Sequence, residues 1–542
     1  MKDRIKRFRT SSGQNHPAGV HGVVAGPGAA AGGERIGVLG AMGATVQRSG
    51  AVHLEQVGGS GATVLRWWVG AEDRWYRPEH EVAVRQERLR GTPVVQTSLR
   101  IPGGDVRVWT YGAMVAGHGW VVVDLVNDSR GPVAVAVVTE GAGARGSTQD
   151  PNAVGSCPWL VEGASLRWSG QLLSVAGRSA DAIDAETSLD ALAARLATHL
   201  APVSGPEPGS GSSASGGSAM AQIFALSAGA SLRLLIAGHR SPWSDRPLPD
   251  PQAAPSPEAV ARGWSRQLEA AAAVQLGEEA AEAELCRLRT SLLLELEEIG
   301  PAEVRALAAF GHHQEAAQRL DRALSALRAP VPADHAAGLL VAAADLLRWA
   351  DPGAATTELA ALLRGPALEL AAWTSRSPYQ ERAQWALSQI VSGVQAKAAP
   401  AARQRAQHSG QLAWEPADEA GPTVEPAVSF PPGSAAALLG WRNCLVADSG
   451  DDTLVVLPGW RQDWRGRPIE VHRLPTAQGR LSFALRWHGP RPALLWQIED
   501  PIETDGAVAF RLLAPRLDPA FVASQRRGEV LLAPPGVDVD QG

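Results

Sequence analysis

The spacing of apolar residues changes period twice along this chain. From about Arg35 to Ala201, apolar residues fall in short β-branched runs: Val64–Val69, Val94–Ile101, Val106–Trp109, Trp120–Val126 and Val133–Val138. Turn residues such as Pro102-Gly103-Gly104 and Asn127-Asp128-Ser129 close several of them, which reads as strands. From Ser256 to about His408, Ala, Leu, Arg and Glu dominate, and apolar positions recur every three to four residues, the period of helices. Breaks near Gly277, Gly300-Pro301, Gly311, Pro330–Pro332, Pro352-Gly353 and Pro378 divide this stretch into about three helical hairpins. Short strands return from Pro431 to about Leu532, including Thr453–Leu457, Ile469–His472, Leu481–Trp487 and Ala493–Ile498. A pattern written for one period does not settle into the other, so the chain must be built from β, α and β parts in that order.

At 542 residues the chain exceeds a single core. The expected layout is a disordered N-terminus over 1–34, a β-sandwich over 35–240, a helical region over 256–408 and a C-terminal β domain over 431–535. Ser204–Ala219, SGPEPGSGSSASGGSA, interrupts the first β part as a flexible surface loop, because Ala221–Ile236 returns to strand-like runs. The fold class expected is multidomain α+β: an N-terminal β-sandwich, a central α/α helical-hairpin region and a small C-terminal β-sandwich.

The net charge is −6 with both signs dispersed, and no basic patch points to nucleic acid. Only three cysteines, Cys157, Cys286 and Cys444, occur, far apart and without metal spacing, as in reduced thiols of a cytoplasmic protein. The basic start MKDRIKRFR has no apolar segment behind it, and no apolar run reaches the length of a membrane span. A soluble cytoplasmic protein is therefore expected, with neither nucleic acid nor membrane as a partner.

Three stretches resemble the bacterial glucoamylase-like, six-hairpin (α/α toroid) glycosidases. They are Pro102-Gly103-Gly104-Asp105 with Val121–Ser129, the hairpin Val304–Leu307/Phe310-Gly311-His312/Glu315-Ala316, and Gly479–Trp487. The order of β, helical and β parts also resembles that family. The resemblance implies a reduced toroid, since about three hairpins stand where the family has six. It implies an oligosaccharide as partner and a sugar-binding end where Pro301 opens the hairpin. An oligomer that completes the half-toroid follows from its uncovered edge. The family places a Trp/Tyr and an Arg-Asp pair just before this hairpin; here Glu297–Ala302 holds no such pair.

Glycoside hydrolysis needs two carboxyl groups across the scissile bond. Glu298, just before the Gly300-Pro301 break, is the first acid candidate. Glu295 is the second, on the edge of the Leu285/Leu288/Leu292/Leu296 face, where burial would raise its pKa. Glu303, Asp334 and His335 are expected at the same end of the helices as substrate contacts. Asp334 reads first as an N-cap of the following helix and second as a sugar contact. His312-His313 read as turn residues and offer poor chelate geometry, so no metal and no cofactor is expected. Trp460 and Trp464, interleaved with Arg461 and Arg465, read as a sugar platform or as an Arg–Trp lid over a core.

The function expected is a glycosidase-like protein of carbohydrate metabolism that binds carbohydrate with little or no catalysis. The alternatives are an active inverting glycoside hydrolase on α-glucosides or related oligosaccharides, and a protein-interaction scaffold.

Overall fold

The computed structural model describes residues 33–54, 63–71, 74–140, 159–168, 171–186, 188–198, 219–237, 247–295, 300–326, 332–349, 434–449, 453–499 and 510–534, with isolated positions at 384, 386 and 390. Two eight-stranded sheets form the N-terminal part. The first runs Glu34–Val38, Met42–Val46, Val52–Leu54, Thr63–Gly70, Val133–Glu140, Ala219–Leu226 and Ala182–Glu186, with Trp75–Tyr76 attached to Thr63–Gly70. The second contains Val84–Arg88, Val94–Ile101, Gly104–Val115, His118–Asn127 and Ser231–Ala237, followed by the strands between Trp159 and Ala176.

Ile36, Val69, Val135, Val137 and Phe224 of the first sheet meet Leu99, Val108, Val123, Leu125 and Leu234 of the second in one buried core. The outer faces are covered as well. Helix α1 (Leu189–Thr198) lays Leu192 and Leu196 over Trp68, Ala136 and Val138. Helix α2 (Pro257–Ala270) covers Tyr111, Trp120 and Leu235 through Ala261. Burial on both faces explains why runs such as Val133-Ala-Val-Ala-Val-Val138 are apolar throughout rather than alternating.

The described helices after α2 are α3 (Glu279–Leu294), α4 (Pro301–Ala309), α5 (His313–Ala326), α6 (Ala333–Trp349) and α7 (Ser434–Leu445). Their bounds follow the sequence breaks. Ser256 caps α2 by accepting from Ala259 N–H at 3.3 Å, with Pro257 in the first turn. Gly311, at φ +84°, ends α4 in the left-handed conformation, and His312 N–H donates to Leu307 C=O at 3.0 Å.

No α/α toroid forms among the described residues, which corrects the expected fold class: four β-sheets dominate, and the helices serve them. A hairpin's apolar stripe needs cover, but further hairpins are only one way to supply it. Here α4 is wrapped by α5, α6 and α7 and reaches the strand Ile469–Thr476. Val304, Leu307 and Phe310 share a single buried cluster with Leu339, Leu438, Val471, Phe483 and Leu494. The cover comes from neighbouring helices and C-terminal strands together, and no closed ring of hairpins forms among the described residues.

Two sheets complete this core. One orders Ala273–Gln275, Ile469–Thr476, Gly479–His488, Arg491–Glu499 and Arg527–Leu531. The other orders Val446–Ser449, Thr453–Val456, Arg511–Ala514 and Asp518–Ala523. The short strand Ala273–Gln275, lying between α2 and α3, is thus an edge strand of a sheet otherwise built from the C-terminal part. The stretches 1–32, 204–218 and 409–430, expected to be disordered or linking, lie outside the described residues.

Candidate functional site

A polar cleft of about 200 Å³ opens where the first strand meets α3 and the start of α7. Its lining includes Glu34, Arg35, Thr45, Arg287, Ser291, Glu295 and Ser434. The geometry follows from two periodicities. Arg35 and Thr45 are direct partners across antiparallel strands, so both project from the face opposite Ile36 and Ala44, which enter the core. Arg287, Ser291 and Glu295 are spaced by four, so the first two share one stripe of α3 and Glu295 follows at its end. The two sets face each other, and Ser434 closes one side.

Arginines hold the walls. Arg88 pairs with Glu34 at 2.8 Å and donates to Gly91 C=O at 3.1 Å and Thr290 Oγ1 at 3.3 Å, bridging the strand to α3. Burial lowers its pKa, against the opposing pull of Glu34. Arg35 Nε donates to Leu294 C=O at 3.3 Å. Arg287 is bidentate with Glu284 at 2.6 Å, and that bond raises its pKa. Beneath the cleft, Arg319 Nη2 donates to the carbonyls of Leu292 at 2.6 Å and Glu295 at 2.8 Å, capping the end of α3.

Among the described residues expected at the site, only Glu295 lines this cleft. It stands at the C-cap of α3 with extended backbone, φ −71° and ψ 123°, so its projection is not set by helical spacing along the leucine face. Glu298 lies outside the described residues. Glu303 is half-buried in the first turn of α4, its carboxylate lying over Gly300. Asp334 is exposed and sits inside the first turn of α6 rather than at its N-cap; Pro332 precedes the helix, and its carbonyl accepts from Ala336 N–H at 2.9 Å. His335 is half-buried beside it. Pro301 packs against Gly338, which brings the starts of α4 and α6 together.

Trp464 is fully buried, with no face left for a ligand. Trp460 meets it edge-on at 6.2 Å and lies 5.9 Å from Trp487, and Arg461 sits over the Trp464 ring at 5.7 Å. This is the geometry of an Arg–Trp lid. Among the described residues, no three His, Cys, Asp or Glu side chains gather as metal ligands, and no helix is long and apolar enough to cross a membrane.

Sequence reasoning missed Arg88, Arg289, Arg319 and Arg442, whose side chains are buried. The signal was present for three of them: Arg289 falls on the Leu285/Leu288/Leu292 stripe, Arg319 on Ala316/Leu320/Ala323, and Arg442 on Leu438/Leu445. An arginine at an apolar-stripe position must find acceptors inside the protein, and here it finds backbone carbonyls.

No protein-family model matches the chain, and no curated protein sequence matches it. Among solved structures it is similar to a bacterial glucoamylase complexed with acarbose, at 8% identity and a TM-score of 0.40. That likeness covers 66% of this chain and 65% of the glucoamylase chain, and it is too slight to assign a fold family, a site or an activity.

Proposed function

We propose that this protein is a glycosidase-like carbohydrate-binding protein whose sugar site is the cleft between Arg35/Thr45 and Arg287/Ser291/Glu295. The observation that carries the reading is the lining itself. Hydroxyl, guanidinium and carboxylate groups from four separate elements converge on one small space. Sugar hydroxyls both donate and accept, and a wall that alternates donors with acceptors satisfies them. Binding without cleavage is favoured because Glu34, the other carboxylate of the lining, is engaged by Arg88 at 2.8 Å. A hydrolytic pair needs one carboxyl on the leaving oxygen and one on water.

Thermal-shift and calorimetric titration with neutral oligosaccharides tests this. Binding is expected, weakened at least tenfold by Ser291→Val and by Glu295→Gln, with no release of reducing sugar. A panel of glycans that produces no shift at millimolar concentration sinks the reading. Turnover that disappears in Glu295→Gln replaces it with the hydrolase reading.

A further inference from the structure

The turn joining α4 to α5 is fastened to the end of α2 by a ring of hydrogen bonds. Ala272 N–H donates to Phe310 C=O at 3.0 Å. Arg289, on α3, donates to Ala272 C=O at 2.8 Å and to Leu268 C=O at 3.0 Å. Its Nη2 also lies 3.0 Å from His312 Nε2. The guanidinium sits over the Phe310 ring at 5.3 Å. Arg289 is 4% exposed and His312 3%. A guanidinium can only donate, so His312 Nε2 is the acceptor and the imidazole is neutral.

Among the described residues, the groups around this clasp give a second positive charge no counterion. Arg289 and Cys286 face it from α3, and His313 stands beside it in the turn. Arg473, from Ile469–Thr476, caps the same end of α2 through the carbonyls of Glu269, Ala270 and Ala271. Burial raises the Cys286 pKa, which keeps that thiol neutral, and the Glu269 side chain is exposed. No carboxylate pairs with Arg289 among the described residues.

We propose that this clasp is an acid-release device, in which a proton taken from solvent onto His312 Nε2 removes the acceptor, sets two cations about 3.0 Å apart and frees the α4–α5 turn from α2. Ala273–Gln275 begins at the next residue after Ala272, so release loosens the helices from the C-terminal sheet at its edge strand. Burial first, then Arg289 and His313, hold His312 well below the usual imidazole value of about 6.5. The open or unfolded chain therefore takes up the proton first. Closure is fully favoured above about pH 6.5 and weakens as pH falls toward the folded value.

Amide hydrogen exchange on the full chain, followed by mass spectrometry from pH 7.5 to 5 and corrected for intrinsic rates, reads the opening directly. In peptides spanning 268–276 and 305–317, the opening constant is expected to rise up to about tenfold per pH unit below about 6.5. In His312→Gln, whose amide oxygen still accepts from Arg289 but does not titrate, the profile is expected to be flat. Equal pH dependence in both proteins, or a flat profile in the wild type, overturns the proposal. Should His312→Gln not fold, NMR of the native wild type decides. A His312 ring that titrates near pH 6.5 with the clasp still protected overturns it, and a ring that stays neutral until the clasp opens supports it.

Discussion

Arg442 is buried at 2% exposure with Asp448 as its partner at 2.7 Å. It also donates to the carbonyls of Val446 and Pro475 and lies over the Trp349 ring at 5.3 Å. Burial alone would raise the Asp448 pKa. Arg442, Arg348, Ala477 N–H and the Trp349 indole together outweigh it and hold the carboxyl below its usual range. Removing one member of such a pair strands the other, so Arg442→Met is expected to cost roughly 3–5 kcal/mol in urea unfolding. Pairing it with Asp448→Asn should cost less than the sum of the single changes. The sign of the pH effect follows from the depressed carboxyl: its stabilisation is present above the unfolded value of about 3.9 and is lost as pH falls below it. Unfolding measured between pH 5 and 2.5 should therefore show a shallower acid limb in Asp448→Asn. Arg442 was legible only as an anomaly in an apolar stripe. Its acceptors were not, because Asp448 and Pro475 are brought to it by strand pairing that local spacing does not encode.

At the level of elements, two glycines separate backbone strain from packing. Gly311 has φ +84°, and an added Cβ would meet only ordinary contacts at 3.5 Å. Gly91 has φ +72°, and an added Cβ would also collide with the carbonyl of Ala283 on α3. Gly311→Ala is expected to cost about 1–2 kcal/mol, the left-handed penalty alone. Gly91→Ala should cost more and shift α3 against the first sheet. Weakened sugar binding in Gly91→Ala, unchanged in Gly311→Ala, would show that this contact shapes the cleft. Inside the N-terminal sheets, Gln222 is 1% exposed, and among the described residues neither Nε2 nor Oε1 has a partner. Replacing an unsatisfied amide with an apolar group of similar shape removes a desolvation cost, so Gln222→Met should raise stability by roughly 1 kcal/mol in the same unfolding assay. The elements themselves were readable. Val94–Ile101 is a strand with those bounds, and the breaks at Gly277, Gly300 and Gly311 separate helices as the spacing predicts. The cleft was not readable, because it depends on Arg35 and Ser291 meeting across more than 250 positions of chain.

Across the whole molecule, helices α3 to α7 and the C-terminal strands form one buried cluster, whereas the N-terminal sheets enclose another. The hairpin Pro301–Ala326 resembles part of a toroid because a stripe of apolar residues looks the same whichever surface covers it. Local pattern does not encode that α7 and strands of residues 446–531 supply part of that cover, and no toroid forms among the described residues. A chain ending at residue 430 should therefore keep the strand signal of the N-terminal sheets in circular dichroism but lose cooperative melting at 222 nm, because Val304, Leu307 and Phe310 lose their cover. Full retention of a cooperative helical transition would contradict a shared core.

The pairing of Ala273–Gln275 with Glu470–His472 also has a consequence in time. During synthesis the edge strand leaves the ribosome about 200 residues before its partner exists. At roughly 5–20 residues per second, that interval is on the order of 10–40 s. Through it, the nascent helices carry their future contact face uncovered, a demand on chaperones that the first sheets, whose strands complete one another by Ala237, do not make.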